Sequence, residues 1–134
     1  MIKRLRKRIK GEEGQSLVEF TLVIPILLLL LLGIIEFGHI FYAYLLIENA
    51  SRDGARYGSV WATDTEIRQI IDEKTYSLEP TNLVVTISPA YEYRQRGEKV
   101  EVKIDYKVPL WGPIWGELLP NPFPITAKTV MRVE

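Results

Sequence analysis

An uncharged apolar segment near the N-terminus constrains this chain more than any other feature. Residues 20–35 read FTLVIPILLLLLLGII, and Glu19 and Glu36 bracket them. A helix of this length is about 24 Å long, whereas a bilayer core is about 30 Å thick, so neighbouring apolar residues must also enter. The rest of the chain is too short to surround a stretch that is apolar on every face. The sequence therefore predicts a transmembrane helix at about residues 20–36.

The charges before this segment predict its orientation. The first ten residues contain six basic side chains and no acid: Lys3, Arg4, Arg6, Lys7, Arg8 and Lys10. Basic residues beside a membrane helix stay on the cytoplasmic side, which places the C-terminal part outside the inner membrane. Next to a membrane helix they indicate topology or contact with anionic lipid, so no nucleic-acid partner is expected.

The residues after the apolar segment predict that the helix continues. A conventional signal peptide would end in small residues, and the sequence GIIEFG at 33–38 is a poor match to that pattern. Apolar residues then recur at helical spacing: Ile40, Phe41, Tyr44, Leu45 and Ile47. One long helix over residues 15–62 is therefore predicted to leave the membrane.

A second feature lies upstream of the apolar segment. Gly14 follows the basic leader, Gln15 comes next, and Glu19 lies five residues beyond the glycine. This arrangement resembles the processing site of type IV prepilins, which implies removal of residues 1–14 by prepilin peptidase and a mature N-terminus at Gln15. A carboxylate at the edge of the hydrocarbon needs a partner, and the new amino group could pair with Glu19. The alternative is that Glu19 complements the helix dipole in the headgroup region.

A longer pattern contains this site. The chain reads GQSLVEF at 14–20, Pro25, GIIEFG at 33–38 and NASRDGARY at 49–57. The pattern resembles the TadE-like family of the Flp (tight adherence) pilus machinery. The resemblance implies a minor pilin or pseudopilin in assembly of a Flp-type pilus or a related secretion apparatus. It also implies filament or assembly contacts at Glu19 and Phe20, and partners among pilin-like subunits and pilus assembly proteins.

The candidates for helix or partner contacts in or beside the membrane are Pro25, Gly33, Glu36 and Gly38. Pro25 removes a backbone donor and can kink the helix. Gly33 and Gly38 lack side chains and can allow close helix approach. Glu36 and His39 are three residues apart, and so they lie on one face, where they pair with each other or with a partner subunit.

A further cluster follows where the helix approaches its end. Arg52 and Arg56 are four residues apart and share a face, with Asp53, Gly54 and Gly58 close by. One interpretation is a contact surface for another pilus component. The other is a solvated helix end whose basic residues offset the helix dipole.

Residues 63–134 are predicted to form an exported α+β domain. Thr63 or Asp64 can cap a short amphipathic helix over 64–77. Three segments, 83–88, 100–108 and 125–133, alternate apolar and polar residues and predict an antiparallel sheet. The outer part of the long helix and the short helix are expected to cover its apolar face, which gives a pilin-like fold.

Residues 109–124 form a loop with five prolines and two tryptophans. Its apolar residues are candidates for a partner patch or for contact with the membrane surface. The favoured interpretation is that Trp111, Trp115 and Phe123 fold back and close a small core.

The composition argues against catalysis. The chain has no cysteine and a single histidine, His39, and it lacks a glycine-rich phosphate loop and metal-ligand spacing. No catalytic, metal or cofactor site is therefore predicted, and an enzyme is not expected. The alternative to a pilus role is a permanently signal-anchored extracytoplasmic binding or scaffold module, which has no need of cleavage after Gly14.

Overall fold

The computed structural model describes residues 2–134, with side chains from residue 12 onward. The basic side chains of the predicted leader therefore lie outside the described residues. The chain divides into two compact units, one ending at Phe37 and the other comprising Gly38–Glu134. A single helix, α1 (Ile2–Ser59), runs through the first unit into the second. This helix also includes much of the predicted leader, and it ends three residues before the predicted position 62.

The first unit is the apolar part of α1. Its apolar side chains are exposed all round the helix, including Phe20, Leu22 and Ile26 at 64%, 67% and 67%. Among the described residues this is the one helix long and apolar enough to cross a membrane. Since no protein surface covers these side chains, lipid is the solvent that suits them. The chain therefore has an N-terminal single-pass membrane anchor.

A second helix, α2 (Asp64–Lys74), follows a short turn. The Thr63 hydroxyl accepts a hydrogen bond from the Glu66 N–H at 3.3 Å, and the Glu66 carboxylate accepts one from the Thr63 N–H at 2.8 Å. This capping box satisfies two backbone donors that the helix itself leaves free. The helix is three residues shorter than predicted because the chain turns after Lys74, where Leu78 N–H donates to Thr75 O at 3.0 Å.

The remaining residues form the three-stranded antiparallel sheet that the alternation predicted. The strands β1 (Leu83–Ser88), β2 (Lys99–Val108) and β3 (Phe123–Arg132) lie in the order β1-β2-β3. Ile104 at the centre of β2 stands opposite Val85 on one side and Ala127 on the other. A one-turn helix, α3 (Trp115–Leu118), lies in the connection between β2 and β3.

The core of the second unit lies between the sheet and the two helices. The outer part of α1 contributes mainly small side chains, which let the helix approach the sheet closely, and α2 adds two isoleucines. The buried residues include Ala43, Ile47, Ala50, Ala55, Ile67, Ile71, Val102, Ile104, Tyr106 and Val108. This confirms the α+β fold and the prediction that both helices cover the apolar face of the sheet.

The prediction that the aromatic residues between β2 and β3 close a small core is only partly confirmed. Phe123 packs against the core, as predicted. The prediction is wrong for Trp111, which is 67% exposed. Its indole instead stacks on the ring of His39, with 4.0 Å between the ring centroids.

Candidate assembly surface on the long helix

The residues of the predicted processing site lie together on an exposed part of α1. Gly14, Gln15 and Glu19 are all exposed, and a Cβ added at Gly14 would have no neighbour within 4 Å. The side-chain amide of Gln15 donates a hydrogen bond to the Glu19 carboxylate at 3.1 Å. A cut after Gly14 would therefore create an amino group on the residue that already contacts Glu19.

The predicted contact residues within the apolar segment face outward. Phe20 is 64% exposed, and Pro25 is an exposed residue inside the helix. Because Pro25 has no N–H, it cannot donate to the Thr21 carbonyl one turn earlier. Gly33 is partly exposed, so its role in close helix approach stays a prediction.

The end of the apolar segment carries two contrasting residues. Glu36 is buried, at 5% exposure, whereas Gly38 is exposed, with open space around its Cβ position. Burial of a carboxylate beside a membrane segment is costly, so Glu36 remains a candidate for a helix or partner contact. Its pairing with His39 or a partner subunit stays a prediction.

The motif at residues 49–58 divides between two faces of α1. Its small residues face inward, where Ser51 and Thr129 hydroxyls lie 2.8 Å apart and join α1 to β3. A Cβ added at Gly54 would approach the side chains of Ile67 and Ile71 to 3.2 Å. Gly54 therefore lets α2 approach α1, a role that was not predicted from the sequence. The spacing of Ala50, Gly54 and Gly58 by four residues was the available signal, because it places three small residues on one face.

The charged residues of the same motif face outward or sideways. Arg52 forms an exposed ion pair with Glu48 at 3.0 Å, and Asp53 pairs with Lys74 of α2 at 3.1 Å. Arg56 is exposed and has no ion-pair partner within residues 12–134. Asp53 thus joins α1 to α2, while Arg56 is an exposed cation that another protein can contact.

Five exposed residues form one continuous face of α1 outside the apolar segment. They recur at spacings of four, four, three and four residues, which keeps them on one side of a helix. We call them the exposed stripe: Phe41, Leu45, Asn49, Arg52 and Arg56. The end nearer the apolar segment is apolar, with Phe41 52% and Leu45 44% exposed, and the other end is basic. Such a face can bury apolar side chains against a second helix and meet carboxylates at its far end.

The described side chains, from residue 12 onward, include no group of three histidines, aspartates or glutamates placed to hold a metal ion.

A protein-family comparison matches the part of the chain that contains the motifs described above. The family model described as TadE-like protein matches residues 14–56. This segment contains the Gly14–Glu19 site, the apolar segment and the whole exposed stripe, so the resemblance is confirmed over these residues. No curated protein and no solved structure matches the chain.

Proposed function

We propose that this chain, which is TadE-like over residues 14–56, is a minor pilin or pseudopilin in assembly of a Flp-type pilus or a related secretion apparatus. One observation carries the proposal. The matched segment joins the Gly14 site and Glu19 to a membrane helix that continues without a break into the exposed stripe. A protein that is retained in the membrane after cleavage, and that then packs beside similar helices, needs these features on one helix.

The proposed orientation follows from the basic leader. Six basic residues before the apolar segment keep the N-terminus in the cytoplasm, so the α+β unit lies outside the inner membrane. The prepilin peptidase would then meet Gly14 at the cytoplasmic surface. The exposed stripe would lie outside, where other pilin-like subunits are assembled.

The proposed role of Glu19 depends on cleavage. Before the cut, its carboxylate accepts a hydrogen bond from the neutral Gln15 amide. After the cut, the positively charged amino group of Gln15, in the same chain or in a neighbouring subunit, becomes a stronger partner. At the edge of hydrocarbon, an unpaired carboxylate is costly, so pairing between subunits would favour one stagger between their helices.

The proposed role of the exposed stripe is to continue that contact outside the membrane. Phe41 and Leu45 would bury apolar surface against a neighbouring helix, and Arg52 and Arg56 would select an acidic partner at its far end. The protein would act through these contacts and would have no catalytic role.

The mature N-terminus tests the proposal directly. Mass spectrometry of the chain, with the matching prepilin peptidase present and then deleted, should give a peptidase-dependent N-terminus at Gln15. Gly14→Val should block the cut, and Gly38→Val is the matched control because Gly38 also has open space around its Cβ position. An intact N-terminus in both strains would reject prepilin-type processing and favour a permanently anchored binding or scaffold module.

A further inference from the structure

The connection between β2 and β3 presents an apolar surface. Trp111 is 67% exposed, Ile114 43%, Leu118 68% and Leu119 37%. We call these four residues the apolar loop surface. They lie within a stretch of residues 109–122, so a short segment concentrates several large apolar side chains outside the core.

The backbone that carries this surface is held in place. The Leu110 N–H donates to the Asn121 side-chain oxygen at 3.3 Å, and Leu119 N–H donates to Trp115 O at 2.8 Å. A Cβ added at Gly112 would lie 2.4 Å from the Trp115 ring, so only glycine lets this indole pack against the loop backbone. The loop thus holds its apolar side chains outward on an ordered turn.

The position of the loop along α1 is informative. Trp111 stacks on His39, with 4.0 Å between ring centroids and 28° between ring planes. Counted from Phe20, His39 is the twentieth residue of the helix, and twenty residues span about 30 Å. This equals the thickness of a bilayer core. Trp111 contacts His39. His39 therefore lies at the level where a helix that enters the hydrocarbon at Phe20 reaches the opposite membrane surface.

The chemistry of the loop fits the same location. Residues 109–122 contain two tryptophans and several aliphatic residues, and Glu117 is their one charged side chain. Tryptophan is enriched at membrane–water interfaces, where an aromatic ring can be partly buried while its N–H stays hydrated. Because the loop has no lysine or arginine, anionic headgroups have no cation to bind there.

We infer that the apolar loop surface inserts into the interfacial layer of the same membrane that α1 spans. The insertion gives the Gly38–Glu134 unit a second attachment to the bilayer, and phospholipid is the partner. Burial of apolar side chains drives it, so zwitterionic lipid suffices. The inference rests on α1 as a membrane anchor and does not depend on cleavage or on a pilus.

Spin labels on the full chain test the inference, because the sequence has no cysteine. Leu118→Cys places a label on the apolar loop surface. Tyr93→Cys is the matched control, since Leu118 and Tyr93 are 68% and 70% exposed. The end of α1 at Ser59 is twenty residues, about 30 Å along a helix, from His39. Tyr93 lies near that end, because the next residue, Arg94, donates a hydrogen bond to the Ala62 carbonyl. Each labelled chain is reconstituted into phosphatidylcholine vesicles, and its accessibility to oxygen and to a water-soluble nickel chelate is measured.

The expected result is a higher ratio of oxygen to nickel accessibility at position 118 than at position 93. The ratio at 118 should not change when phosphatidylglycerol is added or when labelled chains are diluted with unlabelled ones. Equal ratios at the two positions would overturn the inference. A ratio at 118 that falls to the value at 93 on dilution would also overturn it, and would assign the surface to contact with a second copy. The N-terminal processing assay is unaffected by either outcome, so this inference and the proposed function fail separately.

Discussion

At the scale of single residues, Arg94 has an environment that its neighbours in the sequence do not predict. It lies two residues before Arg96 in the polar connection between β1 and β2, yet its side chain is fully buried. It pairs with Asp64 and donates hydrogen bonds to Ala62 O at 2.6 Å and Pro89 O at 3.2 Å. The guanidinium thus joins the start of α2 to the segment after β1. No periodicity reveals this, because two neighbouring arginines in a loop look alike until the fold brings acceptors to one of them.

Arg94→Ala is expected to lower the free energy of unfolding by about 2–4 kcal/mol, because two carbonyls and a carboxylate, all partly buried, lose their donor. Arg96→Ala is the matched control, and its exposed side chain should contribute within about 0.5 kcal/mol. Urea denaturation of the full chain in detergent micelles, followed by tryptophan fluorescence, measures both. Equal stability of the two variants would contradict the structural role of Arg94.

Glu19 is the residue whose substitution is expected to weaken assembly with pilin-like subunits. Glu19→Gln should leave cleavage after Gly14 intact but reduce the mature chain that co-purifies with pilin-like subunits by about tenfold or more, because a charged pair is lost. Glu13→Gln is the control, since Glu13 is exposed and the proposed cut would remove it with the leader. Undiminished co-purification of the Glu19→Gln chain would refute pairing between Glu19 and a new amino group.

At the scale of elements, the sequence predicts those parts whose residues repeat with a regular period. The strands were predicted because apolar and polar residues alternate along them, and burial along β2 follows that alternation. The helix α2 was predicted from a cap at Thr63 or Asp64 and from apolar residues at helical spacing, and Thr63 proves to be the cap. The connection between β2 and β3 has no such period, and the prediction that its tryptophans close the core was wrong for Trp111. The inward face of residues 50–58 was missed for another reason: arginines and glycines alternate there, and the charges suggested a contact surface.

The packing of α2 on α1 gives an element-scale prediction. Alanine in place of a helical glycine stabilises a helix by up to about 1 kcal/mol. Gly38→Ala should show this gain, since its Cβ meets nothing within 4 Å. Gly54→Ala should not show this gain in stability, because its Cβ would lie 3.2 Å from the side chains of both Ile67 and Ile71. Thermal unfolding of both full-length variants in the same detergent gives the difference, and an equal gain at the two positions would contradict close packing at Gly54.

At the scale of the whole molecule, the surface of α1 suits lipid in one part and water in another. In its apolar segment α1 is hydrophobic on every side, which suits lipid. Beyond His39 the same helix has a buried face of small residues against the sheet and, on the other side, the exposed stripe. This change from an all-round to a one-sided pattern is visible in the sequence, and so the anchor and the covered sheet could both be predicted. The orientation across the membrane depends instead on leader charges, which act during insertion.

Cysteine labelling tests that orientation, because the chain has no cysteine of its own. In intact spheroplasts, a membrane-impermeant maleimide should modify Tyr93→Cys, whose position is 70% exposed. Glu13→Cys, in a peptidase-deleted strain, should react only after lysis, since the proposed orientation places it on the cytoplasmic side of the apolar segment. Replacing the six leader basics with glutamine should reduce labelling at position 93, because the charge bias that orients the helix is removed. If position 93 instead reacts only after lysis in the unaltered leader background, the α+β unit is cytoplasmic, and assembly with pilin-like subunits outside the membrane is refuted.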